Sequence, residues 1–446
     1  MEALDQILTK VSGWAWGPPM LALLVGTHLF LTFRLRGIQR YLLKAIRLSV
    51  TRTDEQDGDI SHFGSLATAL AATVGVGNLA GVATAVASGG PGAVLWMWLT
   101  GVFGIATKYA EALLAVKYRV TTEDGRTVGG PMYALERGLN AKWLGILFAA
   151  FAAVAAFGIG NMVQANTIAE ALDDSMLNIP HAICGLVLAG LTGITILGGI
   201  RSIARVCEAL VPFMALFYVL GCFVLLIMNI SSLPDTIMTI LRSAFTGEAA
   251  VGGFLGAGMK EAVRFGIARG LFSNESGLGS APIVAAAAKT RNPVRQALVS
   301  STGTFWDTVV ICLMTGLVIV NSGHWRDGLT GIELTRRAFA DLSTIGPLVL
   351  SVGLITFVFS TILGWSYYGE RACEYLLGRW AIRPYQILWV IAVFVGSVVE
   401  VPIVWNFADI ANALMAIPNL IALLLLSGVV VAETRKYLWE DSDNEP

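Results

Sequence analysis

Two glycine-interrupted stretches carry the polar groups of this sequence that could do chemistry. The first runs from Leu70 to Gly81, with three glycines and an asparagine in its last seven residues, inside a long apolar segment. Glycine costs roughly 1 kcal/mol relative to alanine in a helix interior. Gly75 and Gly77 around Val76, followed by Asn78, therefore mark a place where a membrane helix comes unwound. If the helix stops near Thr73 and restarts near Asn78, the N–H groups of Val76 and Gly77 lie at a new helix N-terminus and suit an anion such as a carboxylate. The carbonyls of Ala71, Thr73 and Val74 end the first half-helix and suit a cation. Thr73 adds a hydroxyl and Asn78 an amide. The chemistry is recognition, not bond-making. The competing reading is a small-residue packing face, since Gly77 and Gly81 have that spacing.

The second stretch, Phe272 to Pro282, packs four polar residues and two glycines, Gly277 and Gly279, into the seven positions from Ser273 to Gly279. Paired glycine-interrupted segments in two halves of a membrane protein point to a transporter's binding site. A carboxylate in a span costs at least about 2.5 kcal/mol, so Glu275 needs a use. It pairs with Arg269 or caps the restarted helix. Other polar groups stand in apolar surroundings. Asn161 and Gln164 are three apart on one helix face and contact either a substrate or a neighbouring helix. Ser360 and Thr361 supply adjacent hydroxyls, which suit a hard cation or bond their own helix carbonyls. Trp365 follows about one turn later, as a pocket wall would. Lys108 and Glu208 lie near span ends, where side chains snorkel to water. Asp307 is deeper and has no nameable partner, and Asp409 is a further charge within a span.

The elements that must hold these groups are membrane helices. The chain has 446 residues, 55% hydrophobic and 14% charged, with mean hydropathy +0.70. Soluble domains carry about 25% charged residues, so this is an all-α polytopic membrane protein. Spans need about 20 apolar residues. Eleven are expected, at 14–33, 63–88, 92–116, 143–171, 181–199, 206–229, 252–288 (broken), 296–320, 345–369, 382–399 and 404–432. The connections on one side, from Arg34 to Arg52 onward, hold 21 Lys and Arg against eight on the other. The basic side is cytoplasmic, which puts the N-terminus outside and the C-terminus inside. Trp14, Trp16, Trp143, Trp380 and Trp439 fall near span ends, as interfacial anchors do. Residues 331–340 form an amphipathic pattern in the second long outer connection, read as a lid helix or a passive surface helix.

Without the first span, ten remain, in two groups of five that each open with a glycine-broken span. Five is odd, so the halves enter the membrane from opposite sides, an inverted repeat. The division is 1–59 (extra span and basic loop), 60–230 (first repeat), 231–433 (second repeat) and 434–446 (tail).

Composition and spacing exclude several classes. Near-zero net charge leaves no nucleic-acid footprint. The five cysteines form no C-x-x-C pair, and the four histidines have no metal-ligand spacing. No nucleophile–base pair or metal cluster stands in the spans, so an intramembrane enzyme is disfavoured. A channel suits two broken helices less well than an occluding site does. No organic cofactor and no obligate protein partner are expected. The partners are a small solute and the lipid bilayer.

Four motifs carry a resemblance. Gly90 to Trp98 (GPGAVLWMW), Gly270 to Pro282, Gly129 to Tyr133 (GGPMY) and Gly160 to Gln164 (GNMVQ) resemble the alanine or glycine:cation symporter family, over nearly the whole chain. The resemblance implies a leucine-transporter-like fold of five plus five helices, here with one extra span. The stretch Thr73–Asn78 is also similar to the unwound first core helix of neurotransmitter:sodium symporters. By that likeness Val76 and Gly77 offer N–H groups to an amino-acid carboxylate, and Thr73 a carbonyl near the ammonium. Phe272 and Ser273 look like carbonyl donors of the second break, and Gln164 and Trp365 like pocket-lining positions. A Na+ site is implied at the carbonyls of Ala71, Val74 and Phe357 with the hydroxyls of Ser360 and Thr361. Proton-coupled relatives place a lysine there, and none stands at these positions. Asn78 matches a residue that helps bind another sodium in the neurotransmitter group, whereas Asn274 and Glu275 depart from that group. The expectation is a sodium-coupled symporter of alanine or glycine in a bacterial inner membrane. The alternatives are another substrate such as glutamine, or H+ coupling.

Overall fold

The computed structural model describes residues 2–51, 57–173, 179–246, 258–399 and 402–440. Arg52, the first residues of the span expected at 252–288, and the last six residues of the tail lie outside that set. Helices α1 (Glu2–Ala15), α2 (Pro18–Arg34) and α3 (Leu42–Val50) precede the broken pair α4 (His62–Thr73) and α5 (Val82–Gly89). Then come α6 (Ala93–Lys117), a hairpin of β1 (Val120–Thr121) and β2 (Thr127–Val128), α7 (Pro131–Tyr133), α8 (Lys142–Phe157), α9 (Val163–Asp173), α10 (His181–Ile196) and α11 (Gly199–Met228). The remainder is α12 (Leu233–Phe245), α13 (Met259–Asn274), α14 (Pro282–Ala285), α15 (Pro293–Thr304), α16 (Leu313–Ser322), α17 (Gly331–Leu342), α18 (Gly346–Leu377), α19 (Ile382–Val398), α20 (Pro402–Leu425) and α21 (Ser427–Thr434).

Among the described residues, eight helices are long and apolar enough to cross a membrane, or nine when α4 and the helix resuming at Gly77 count as one span bent by 56°. Eleven spans were expected. Two of the expected segments, 181–199 and 252–288, correspond to the shorter helices α10 and α13. Trp14, Trp143 and Trp380 are exposed near helix ends.

Packing surrounds the two breaks. Helix α6 lies against α13 and α15, while α4 lies against α11 and α18, so both breaks are walled by long helices. The amphipathic helix α17 buries Leu334, Ala338 and Phe339. Its Thr335 Oγ1 donates to the Leu79 carbonyl at 3.2 Å, which ties it to the resumed half of the broken helix. Ser61 caps α4 by accepting the Gly64 N–H at 2.8 Å, and its hydroxyl donates to Glu208 Oε1 at 2.7 Å. Glu208 thus meets a helix cap instead of extending freely to water.

Candidate functional site

Helix α4 ends where the sequence stops favouring a helix. The Val74 N–H makes the last regular bond, to Leu70 at 2.8 Å, and Val74 itself is extended. The chain resumes as a wide turn over Gly77–Gly81. Asn78 closes the gap with its side chain: Oδ1 accepts the Gly75 N–H at 2.8 Å. A peptide group freed by the break is satisfied locally in this way, as burial requires.

The five residues expected to hold a cation converge beside this break. Ser360 Oγ lies 3.2 Å from the Ala71 carbonyl and 2.8 Å from that of Phe357. Thr361 Oγ1 lies 3.3 Å from the Val74 carbonyl and 2.9 Å from that of Phe357. All five residues are buried. The set is entirely oxygen, the ligand type that hard cations take. The hydroxyls now donate to the carbonyls, and rotating their hydrogens away would free oxygen lone pairs for a cation.

Gly75 permits this closeness. A Cβ there would lie 2.6 Å from Thr361 Oγ1 and 3.4 Å from Gln164 Oε1. Gln164 donates to the Ile159 carbonyl at 2.9 Å, and its buried Oε1 has no hydrogen-bond partner among the described residues. That oxygen faces the break as an acceptor, suited to an N–H group. Asn161, three residues earlier, turns instead to the Trp389 carbonyl at 2.9 Å. Trp365 is buried against Gly160, where no Cβ would fit, and its ring meets Tyr368 edge-on at 5.5 Å. Gly77 faces Phe272, whose ring would be 3.4 Å from an added Cβ. Thr73 and Val76 are buried on either side of the break.

The second break is built differently. Helix α13 ends at Asn274, and Glu275 (φ 55°), Gly277 (φ 93°) and Gly279 (φ 89°) adopt left-handed or positive-φ conformations. Glycine adopts such angles readily, a carboxylate side chain rarely. The N–H groups of Gly277 and Gly279 both donate to Glu111 Oε1, at 3.0 and 3.1 Å, and Asn419 Nδ2 joins them at 2.7 Å. The freed N–H groups therefore hold a protein carboxylate. Glu275 accepts from Ser280, with the Trp365 indole as a further polar neighbour. The expected pairing with Arg269 does not form.

Asp307 joins the two breaks. It accepts from Asn78 Nδ2 at 2.7 Å, from Ser273 Oγ at 2.9 Å and from Thr308 Oγ1 at 2.6 Å. Asn78 is thus engaged at both ends of its amide. Lys108 does not snorkel. It is 3% exposed, its Nζ has no hydrogen-bond partner among the described residues, and it interacts electrostatically with Glu111, Glu275 and Asp307. It lines a small cavity with Thr73 and Asn274.

Sequence reasoning missed Glu111, Asn419 and Thr308, and it named Asn78 and Ser273 without their pairing to Asp307. Glu111 had a signal: it is a carboxylate inside an apolar span, with the same cost as Glu275. Asn419 had none beyond its polarity.

Comparison with known proteins follows the same lines. The family model described as the sodium:alanine symporter family matches residues 1–446. The chain is 52% identical to a sodium/alanine symporter, AgcS, of Methanococcus maripaludis, over 97% of this chain and 96% of that one. It is 36% identical to a probable sodium/glutamine symporter, GlnT, of Bacillus subtilis, over 97% and 91%. Among solved structures, MhsT in complex with L-phenylalanine superposes with TM-score 0.54 at 13% identity, covering 87% of this chain and 92% of that one. A manganese transporter of Eremococcus coleocola gives 0.52 at 15% identity, covering 86% and 82%. These likenesses show a shared fold, the leucine-transporter-like arrangement of broken membrane helices. The chain is a multi-pass membrane transporter, not an enzyme, and it belongs to the sodium:alanine symporter family.

Proposed function

We propose that this protein imports alanine or glycine together with Na+ by alternating access. The observation that carries the reading is the buried convergence of three carbonyls and two hydroxyls, from Ala71, Val74, Phe357, Ser360 and Thr361, beside the unwound Val74–Gly75. Na+ binds first and fixes the first break against α18. The amino-acid carboxylate docks on the N–H groups of Val76 and Gly77, and the ammonium meets the Thr73 carbonyl and Gln164 Oε1. Phe272 and Ser273 line the site from the second break, Asn78 braces it, and Trp365 limits its size. The first two spans of each repeat, 60–230 and 231–433, then rock against the rest so that the site opens inward. The N-terminus is outside and the C-terminus cytoplasmic, in the plasma membrane, a bacterial inner membrane. The basic connections support that orientation.

One ion suffices energetically. A Na+ crossing about 100 mV supplies about 2.3 kcal/mol. A tenfold gradient adds about 1.4 kcal/mol, enough together for roughly 500-fold accumulation.

The test is uptake of radiolabelled alanine into proteoliposomes under an inward Na+ gradient, with K+ as control. Uptake that needs Na+ and is competed by glycine but not leucine is the expected result. Equal uptake with K+ would overturn sodium coupling. Failure with alanine and success with glutamine, the substrate named for the Bacillus subtilis relative, would move the substrate and leave the coupling site standing.

A further inference from the structure

A pocket of about 390 Å³ opens between the α10–α11 connection, the β1–β2 hairpin, the end of α18 and the start of α19. In the proposed orientation this side is cytoplasmic. Its lining sets Arg126, Arg371, Arg379 and Arg383 against Asp59, Asp124 and Glu370. Each of these carboxylates is already partnered. Asp124 Oδ2 lies 2.6 Å from Arg126 Nε and 3.5 Å from Arg379. Asp59 Oδ2 accepts the Thr127 N–H at 2.9 Å, and Arg201 stands 3.8 Å from the other oxygen. Glu370 accepts from Arg371 and, at 2.7 Å, from Gln386. Behind the lining, Glu374 meets Arg126 at 2.7 Å and also Arg371.

The arginines keep donors to spare. Arg383 donates to Gln386 Oε1 at 3.2 Å and has no carboxylate partner among the described residues. Arg371 is 4% exposed, yet its Nε has no hydrogen-bond partner among the described residues. The start of α11 adds to the positive side. Gly199 and Ile200 line the pocket, and no side chain caps this helix. The leading N–H groups of a helix lack acceptors within it and form the positive end of its dipole. Satisfied carboxylates, spare guanidinium donors and an uncapped helix start together favour an anion. The arginine fork matches the oxygens of a phosphate.

Size and position narrow the class. The volume far exceeds what a monatomic anion fills. Leu197 and Ile382 give the lining an apolar edge, and Leu197 is exposed. Trp380, beside Arg379, is exposed as an interfacial anchor would be. Ile387 and Leu388, further along α19, are exposed as lipid-facing side chains are. The pocket therefore opens at the depth of lipid headgroups, where basic pockets between membrane helices hold anionic ones.

We propose that this pocket binds the phosphate headgroup of an anionic phospholipid from the cytoplasmic leaflet. The phosphate meets Arg383, Arg371 Nε and the first N–H groups of α11, and the acyl chains leave past Leu197. Asp59 precedes the broken helix α4 by three residues, and α18 carries Ser360 and Thr361. A headgroup seated here touches both sides of the oxygen cluster's surroundings and links transport to lipid composition. The site does not depend on which amino acid is carried.

The test melts the purified full-length protein in detergent with dioleoylphosphatidylglycerol, dioleoylphosphatidylcholine or glycerol 3-phosphate. Phosphatidylglycerol is expected to raise Tm saturably, and the other two are not. In R379Q/R383Q the half-saturating phosphatidylglycerol concentration should rise about tenfold, the loss of charge-assisted contacts. K44Q/R47Q, which removes two exposed cations of α3 on the same side, should leave it unchanged. Equal weakening in both double variants would mean diffuse attraction to surface charge and overturns the proposal. Equal stabilisation by phosphatidylcholine overturns it as well. A Tm rise with glycerol 3-phosphate alone would make the occupant a soluble phosphate and overturns the lipid assignment. Should R379Q/R383Q not be recovered, R383Q carries the same comparison at one exposed position.

Discussion

Asn78 Nδ2 lies 2.7 Å from Asp307 Oδ1 across 229 residues of sequence. The same amide braces the first helix break through Gly75, and the same carboxylate accepts Ser273 at the second. One buried carboxylate therefore holds both discontinuities in register. Asp307→Asn should leave the Ser273 hydroxyl or the Asn78 amide facing a donor. An unsatisfied buried group costs about 1–3 kcal/mol. Uptake should fall at least about tenfold while the protein still reaches the membrane. Wild-type uptake by this variant would remove Asp307 from the mechanism.

Thr361 contributes one of the two hydroxyls of the oxygen cluster. Thr361→Ala removes it and leaves the carbonyls of Val74 and Phe357 without that neighbour. The Na+ concentration for half-maximal uptake should rise about tenfold, a change of about 1.4 kcal/mol. An unchanged sodium response would sink the site assignment.

Gly75 and Gly77 differ in what a side chain would meet. Gly75→Ala brings a Cβ to 2.6 Å from Thr361 Oγ1, so it should weaken the sodium response. Gly77→Leu pushes into Phe272 and should abolish uptake at every Na+ concentration without abolishing expression. Titrating Na+ against uptake separates the two. Identical sodium curves for Gly75→Ala and the wild type would contradict the first expectation.

Lys108 is a buried cation among Glu111, Glu275 and Asp307. Removing one partner of a buried charge group costs about 3–5 kcal/mol, because the remaining charges are left uncompensated. Lys108→Met should lower thermal stability in detergent by that order. Adding Glu111→Gln should recover part of the loss if charge balance is the cause. No recovery would point to packing.

His324 lies in the connection between α16 and α17, with Nδ1 at 2.6 Å from Asp327 and Nε2 at 3.1 Å from Asp341. Its hydrogen bond to Asp327 comes first among the causes that hold its pKa above the ordinary histidine value, outweighing partial burial. A raised folded pKa stabilises the protein fully below the unfolded value, and the contribution is lost as pH rises through the folded one. The half-exposed partners limit the effect to less than about 1 kcal/mol. Melting of His324→Ala should therefore fall below the wild type at pH 5.5 and match it at pH 9. A deficit that persists at pH 9 would mean that packing, not charge, is lost.

The sequence by itself determined the class of molecule and the position of the first break. Apolar length and scarce charge dictate membrane helices, and Gly75, Gly77 and Asn78 interrupt one of them. The helix ends at Thr73 and resumes at Gly77 because these residues lower its local stability, a short-range property that needs no neighbour. The second break was legible for the same reason, but not what fills it. Its freed N–H groups bind Glu111 from α6, and a reader of the chain cannot see that two residues 166 positions apart will meet. Lys108 shows the limit most plainly. Its place along the span suggested a side chain reaching for water, yet α13 and α15 close over α6 and bury it. Local sequence decides where a helix can break. Only the packing of distant helices decides which charges face the break, because a buried charge takes its partners from whatever the fold brings near.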